Sequence, residues 1–415
     1  MLLRSFGFAF LGSLALALGE VRACPFCATQ GQTLSSEVGQ ADFIVLGTLK
    51  NAKRDPEDFS KGSTDLDIVT VVKPHPYLKG KKSIVLPRYV PLDPKAEAGE
   101  KFLVFCSLYS PTGDVGFSAL ASAAVLADSN RATLDPYRGE QIKGKSDLPD
   151  YLKQAIVARE KDANARLQFF FKYLDHAELV VNTDALMEFG NAEYKDVRKV
   201  AETLPPEKLL KWLKDPNTPA SRFGLYGLMY GHCGQADGAA ALKALIDDPE
   251  KAFSSGLDGL MAGYILLQPK EGWAHLTTIV SDDKKDFTTR YAALKVLRFF
   301  WEYRPDVLKK ADLLAAMKTL VGQPEIADLP IEDLRKWGAW EQTGFILQEA
   351  VKPSHKKQIV KRAALRFALS AAEEGKNAAA AAYVANARKD DPERVKFMEE
   401  MLADERPKPS IKKKD

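Results

Sequence analysis

The sequence predicts two domains of different class, an all-β region followed by an all-α region. Three observations carry this. The chain has 415 residues, which exceeds what one hydrophobic core organises. Before about residue 150, short β-branched and apolar runs alternate with clusters of Pro, Gly and Asp, which is strand-and-turn patterning. After it, apolar residues recur at helical spacing, and DP, PN and GQ breaks divide the pattern into short segments.

Residues 1–23 are predicted to be a signal peptide. Arg4 supplies the basic start, SFGFAFLGSLALALG the apolar centre, and Val21 and Ala23 the small residues before a cut at Cys24. The apolar stretch is short for a membrane span, and no later stretch is apolar enough to cross a bilayer. The expected mature chain is exported, periplasmic or extracellular, and free to form disulfides. A lipid anchor on Cys24 is the rival reading. Against it, Arg22 stands two before the cysteine, where lipidation requires a small or apolar residue.

The expected β-domain spans 24–142. ADFIVLGTL (41–49), DLDIVTVV (65–72), KSIVLP (82–87) and KFLVFCSLY (101–109) read as its strands. KRDPEDFSKGST, KPHPYLKG and YVPLDPKAEAGE read as its turns, and the whole as a small sandwich or barrel. KGKSDLPD (143–150) reads as a short linker.

Residues 151–403 read as stacked helices. Similar pieces recur roughly every 30–45 residues, the interval of a helix–turn–helix unit. They are DALMEFG from Asp184, RFGLYGLMYG from Arg222, SSGLDGLMAGYILL with its Gly256–Leu257, RYAALKVLRFFW from Arg290, LRKWGAWEQTGFIL from Leu334 and RAALRFALSAAEE from Arg362. A basic residue followed by small and apolar residues at helical spacing resembles HEAT-type repeats over about 180–403. That resemblance implies an α-solenoid, in which each helix pair buries its face on its neighbours. Residues 404–415, ending in PKPSIKKKD, read as a disordered basic tail.

CPFC (24–27) is the motif most open to chemistry. A thioredoxin-like role needs the pair between a strand and a helix N-terminus, and no strand precedes it. Haem attachment needs a His where Ala28 stands, and a zinc ribbon needs a second CxxC. Disulfide stapling is the better reading. One of Cys24 and Cys27 pairs with Cys106, or the two close on each other, and the sequence leaves the connectivity open.

The N-terminal cysteine pair, the strand Ala41–Gly47, the long hairpin into VVKPHPYLKG with Tyr77–Gly80, and GEKFLVF with Phe102–Phe105 together resemble the netrin/TIMP-like OB-fold. The resemblance covers about 24–125 and implies a β-barrel. In that family the N-terminal cysteine binds the zinc of a metalloproteinase, which would make Cys24 an inhibitory residue.

The remaining candidates read as structural. His75, His176, His232, His275 and His355 are scattered. His232 lies on an apolar helix face, and Cys233 beside it reads as a small buried hydrophobe. The aromatic cluster Phe299–Trp301 with Tyr291 and Tyr303, and the pair Trp337 and Trp340, read as packing between helices. Residues Ile331–Arg335 read as a helix start. No P-loop, GxSxG, HExxH or dinucleotide fingerprint is present. A net charge of +3 excludes the broad basic field of a nucleic-acid binder. The expected function is a non-enzymatic binding or scaffolding protein of the cell envelope. Its partner would be another protein or an envelope component, with no cofactor and no metal. Thiol or metal chemistry at CPFC and metalloproteinase inhibition through the Cys24 amine are the alternatives.

Overall fold

The computed structural model describes residues 25–26, 31–58, 61–90, 100–109, 132–142, 144–249 and 255–406. The signal-peptide expectation for 1–23 falls outside them.

The N-terminal region opens with helix α1 (Leu34–Gln40), which Thr33 caps by accepting a hydrogen bond from the Ser36 N–H. Five strands follow: β1 (Phe43–Arg54), β2 (Gly62–Lys73), β3 (Ser83–Leu86), β4 (Lys101–Tyr109) and β5 (Thr133–Ile142). They form one antiparallel sheet in the order β3-β2-β1-β4-β5, so the long β1 is central. All four runs expected to be strands are strands. β5 was not foreseen, because Pro136 makes it read as a turn. Proline is accommodated there because β5 is an edge strand and Pro136 faces Cys106 beside a register shift.

The period-2 pattern buries both faces of the central strands. Ile44 and Leu46 of β1, with Leu103 and Phe105 of β4, belong to the large core shared with the helices. Phe43 and Val45, with Val104 and Cys106, point the other way, into a second core with Leu66, Ile84 and Leu134.

From Leu148 onward the described residues are helical: α2 (Leu148–Arg159), α3 (Ala163–Phe171), α4 (Leu179–Asn191), α5 (Tyr194–Ala201), α6 (Pro206–Lys214), α7 (Ala220–Cys233), α8 (Ala239–Asp247) and α9 (Leu257–Leu267). Then follow α10 (Pro269–Ser281), α11 (Phe287–Glu302), α12 (Lys310–Val321), α13 (Asp328–Lys336), α14 (Thr343–Ala350), α15 (Gln358–Glu373), α16 (Ala378–Asp390) and α17 (Pro392–Glu405). Their main packing joins helices one or two positions apart in the chain. None is long and apolar enough to cross a membrane. Helix α17 continues to Glu405, so residues 404 and 405 of the expected tail are helical, and 407–415 lie outside the described residues.

The closest helix pair is α7 and α9, the two segments whose sequences match. Gly224, Gly227 and Gly231 face Gly256, Gly259 and Gly263. A Cβ on Gly227 would stand 2.9 Å from the Gly259 carbonyl oxygen, and one on Gly231 would stand 2.6 Å from the Gly263 Cα. The two backbones touch, which only glycine permits. Gly256 also adopts φ +108° as it turns into α9.

Of the expected linker 143–150, Leu148–Asp150 already form the first turn of α2, and Ser146 and Asp147 lie against the helices. Ser146 Oγ donates to Glu178 over 2.6 Å, and His176 Nε2 lies 3.3 Å from Asp147. A second set of bonds joins α1 to α4. The Leu34 N–H (2.6 Å) and the Tyr151 hydroxyl (2.7 Å) both donate to Asp184, and the Thr33 hydroxyl donates to Glu188 over 2.5 Å. Arg159 lies 3.3 Å from Glu188, and Asn191 exchanges two hydrogen bonds with Gly31. Burial holds the Asp184 carboxyl above the usual carboxylate range, with the Tyr151 hydrogen bond opposing it.

Candidate functional site: the Tyr194–Tyr303 cleft and the anchored N-terminal segment

Of the CPFC motif, Pro25 and Phe26 are described, and they form a turn. Cys24 and Cys27 lie outside the described residues. Phe26 is 4% exposed, and its ring packs on Phe299 of α11 at 4.8 Å between centroids. Its main chain lies against α7, where a Cβ on Gly224 would stand 2.5 Å from the Phe26 carbonyl oxygen. The glycine seam therefore has a second consequence. Where α7 meets the turn at Gly256, it leaves a notch shallow enough for another backbone to enter. Burying a phenylalanine there contributes about 2–3 kcal/mol.

Phe299 connects this anchor to a polar cluster. Its ring meets Tyr194 of α5 edge-on at 5.0 Å and Tyr303 at 5.8 Å. The Tyr194 hydroxyl lies 3.1 Å from His232 Nε2 at the end of α7. Burial, with Arg304 and Arg198 adding to it, pushes the His232 pKa down to about 3. His232 is therefore neutral at pH 7, and the imidazole tautomer sets which of the two groups donates. Burial pushes the Tyr194 hydroxyl up, with Arg304 beside it opposing. Proton exchange works best between groups whose pKa values lie near the ambient pH. Here the two are displaced in opposite directions, so the pair is a fixed hydrogen bond and not a proton relay. Arg304 is itself held by two 2.8 Å hydrogen bonds to Asp306.

In front of this cluster lies a cleft of about 560 Å³ between α5 and the end of α11. Tyr194 and Tyr303, 5.1 Å apart, form its aromatic floor. Glu193, Lys195, Arg198, Lys199, Glu202 and Glu302 supply its walls. The wall charges are largely paired with each other, Lys195 with Glu193 at 2.7 Å and Arg198 with Glu202 at 3.0 Å. The arrangement suits a ligand with apolar surface and charges of both signs, as a peptide has.

The other candidates take structural positions. Cys106 is fully buried on β4 in the second core, and no disulfide joins it to another described residue. Burial, with Asp135 and Asp42 nearby, pushes its thiol up to about 12. Cys233 donates to the Met229 carbonyl over 3.4 Å, and burial pushes its thiol up to about 11. Both stay protonated at neutral pH and are poor nucleophiles. Among the described residues no group of three or more His, Cys, Asp or Glu side chains could hold a metal ion. Trp337 stacks on Trp301 at 4.2 Å, and Trp340 meets Phe367 edge-on at 5.4 Å, both between helices as expected.

The segment Ile331–Arg335 is not a helix start. Helix α13 begins at Asp328, and its carboxylates reach neighbouring helices. Asp333 accepts from Arg298 at 2.7 Å, and Glu332 lies 3.3 Å from Arg366. Phe26 is not legible as an anchor because the cysteines on either side carry the stronger sequence signal, and Tyr194 is not legible because it stands alone in a charged helix. The matched glycines of α7 and α9 were the signal that could have marked the notch.

No protein-family model matches this chain, and neither a curated protein nor a solved structure matches it.

Proposed function

We propose that this chain is an exported, non-enzymatic binding protein of the cell envelope that takes its partner in the Tyr194–Tyr303 cleft. The observation that supports this most is the cleft itself, in which half-buried Tyr303 lies over buried Tyr194 between charges of both signs, beside an anchored N-terminal segment. The chemistry of the described groups points the same way. The thiols of Cys106 and Cys233 are held protonated, and the Tyr194–His232 pair is locked.

The architecture we attach to this reading is an OB-like barrel followed by a HEAT-like solenoid. Support for the barrel comes from the sheet edges, since Arg88, just beyond β3, pairs with Asp135 of β5 at 3.0 Å. Packing of each helix on those one or two positions away supports the solenoid. Cys24 and Cys27 enter this reading as staples close to the anchor.

The test is a photo-crosslinking residue in place of Lys199, introduced in the exporting cell. A crosslinked species of defined mass that disappears when Tyr303 is replaced by Asp is expected. A species that survives Tyr303→Asp, or none at all, removes the cleft from consideration. Thiol chemistry at CPFC is the second reading. Disulfide-reductase turnover that depends on Cys24 and Cys27 would put it first. The third reading, metalloproteinase inhibition through the Cys24 amine, requires that one extra residue before Cys24 abolish inhibition.

A further inference from the structure

We propose that residues 351–362, the turn between α14 and α15 with the first residues of α15, form a docking surface for an anionic lipid bilayer. This surface stands apart from the Tyr194 cleft and does not depend on that reading. The stretch VKPSHKKQIVKR holds five cations, Lys352, Lys356, Lys357, Lys361 and Arg362, and no acid. Only His355 and Val360 within it are buried.

Two aliphatic side chains stand out among the cations, Val351 at 70% exposure and Ile359 at 57%. Isolated surface aliphatics are ordinary, but aliphatics set among several lysines are the composition of a membrane-interfacial surface. The lysines meet the headgroup charge, and the apolar groups enter the acyl boundary. A soluble polyanion would gain nothing from Val351 and Ile359, which is why the bilayer is the favoured partner.

Most of this charge is not taken up in ion pairs. Lys352 pairs with Glu349 at 2.6 Å. Lys356, Lys357, Lys361 and Arg362 have no ion-pair partner among the described residues. Asp328 feels the charge of Lys357 without contacting it, and Asp390 and Asp391 line the far side of the adjoining cleft with Arg394. Lys357 occupies the N-cap of α15 and makes no capping hydrogen bond, and the first turn of the helix has no acid. Cations at the positive end of a helix dipole are unfavourable, so the arrangement works against the fold that carries it. The turn is nevertheless rigidly presented. His355 is 1% exposed, with its Nε2 2.8 Å from the Val321 carbonyl oxygen and its Nδ1 3.0 Å from Ser354 Oγ.

The experiment is vesicle co-sedimentation of the exported full chain. One vesicle is phosphatidylcholine alone, and the other contains phosphatidylglycerol as about a third of its lipid. Binding to the anionic vesicles alone is expected, and it should weaken as salt rises from about 0.05 M to about 0.5 M. K356E/K357E/K361E should weaken binding at least about a hundredfold, and each single Lys→Ala change about fivefold. V351S/I359S should weaken it by about tenfold at unchanged net charge. All these positions are exposed or half-exposed, so the variants should keep the circular dichroism and melting behaviour of the parent. The single changes serve if the triple variant does not fold. Equal binding to both vesicles, or no loss in the lysine variants, overturns the proposal. So does retention on heparin without vesicle binding, which would assign the surface to a soluble polyanion.

Discussion

The seam between α7 and α9 and the turn between α14 and α15 lie in the same helical region and follow opposite rules. At the seam, six matched glycines let two backbones touch, and no side chain can be added without driving a Cβ into main-chain atoms. At the turn, long side chains project outward, four of the five cations lack an ion-pair partner among the described residues, and a lysine sits where a helix cap belongs. The first arrangement is what stability selects, because close backbone approach maximises dispersion contacts and admits the Phe26 segment into the notch. The second lowers stability slightly and gains nothing within the fold. The difference teaches where to look for an external partner: at the place where local rules are broken with no internal compensation.

The largest effect should come from breaking the seam. Gly259→Val places a branched side chain against the Gly224 carbonyl and should cost more than about 4 kcal/mol, or prevent folding outright, in denaturant titrations. A loss below about 1 kcal/mol would mean that the helices separate easily and that the seam is not rigid. Next comes the anchor. Phe26→Ala should cost about 3 kcal/mol for an aromatic lost from a buried site, and it should raise proteolysis of the N-terminal segment. No change in either readout would show that the notch does not hold the segment in solution.

The third prediction concerns pH. His232 has a folded pKa of about 3, below its usual 6.5. Its contribution to stability is therefore complete above pH 6.5 and is lost as pH falls from there toward 3. Asp184 works in the opposite direction. Its raised pKa favours the folded state below the ordinary carboxylate range, and that contribution fades as pH rises through the folded value. Melting temperatures across this range should fall on acidification through pH 6, and His232→Gln should flatten that slope. An unchanged slope in the variant would assign the acid sensitivity to other groups.

The smallest effect has the opposite sign. Lys357→Asp supplies α15 with a capping carboxylate at its positive end and should stabilise the protein by about 1 kcal/mol. Destabilisation would mean that Lys357 has a structural role. Stabilisation accompanied by weaker vesicle binding would sharpen the contrast with the seam, where every substitution is expected to be costly.

The two-class division was legible from periodicity. Short β-branched and apolar runs between turn clusters became strands, and 3.6-period runs became helices that begin at Leu148. β5 was not legible, because a proline tolerated only at a sheet edge reads as a turn until the neighbouring strand is known. Helix α1 was passed over because it is short and held partly by Arg138 of β5, which reaches Glu37 at 2.8 Å, and by Asp184 of α4. The Ile331–Arg335 acids looked like a helix start because first-turn carboxylates and inter-helix ion pairs have the same composition. Only Arg298 and Arg366, from other helices, tell them apart.

By itself, the sequence determined the class of each region, the four apolar strand runs, the recurrence of Gly-Leu-x-Gly-Leu-Met in two helices, and the unbalanced charge of 351–362. These are local or compositional properties, set by side-chain period, backbone preference and counted charge. Tertiary structure alone decided that the two glycine segments face each other, that Phe26 seats beside them, and that Tyr194, Phe299 and Tyr303 converge from distant parts of the chain. Such contacts depend on which surfaces meet when apolar faces are buried. No one-dimensional pattern specifies that meeting, because many pairings of the same faces remove a similar area from water.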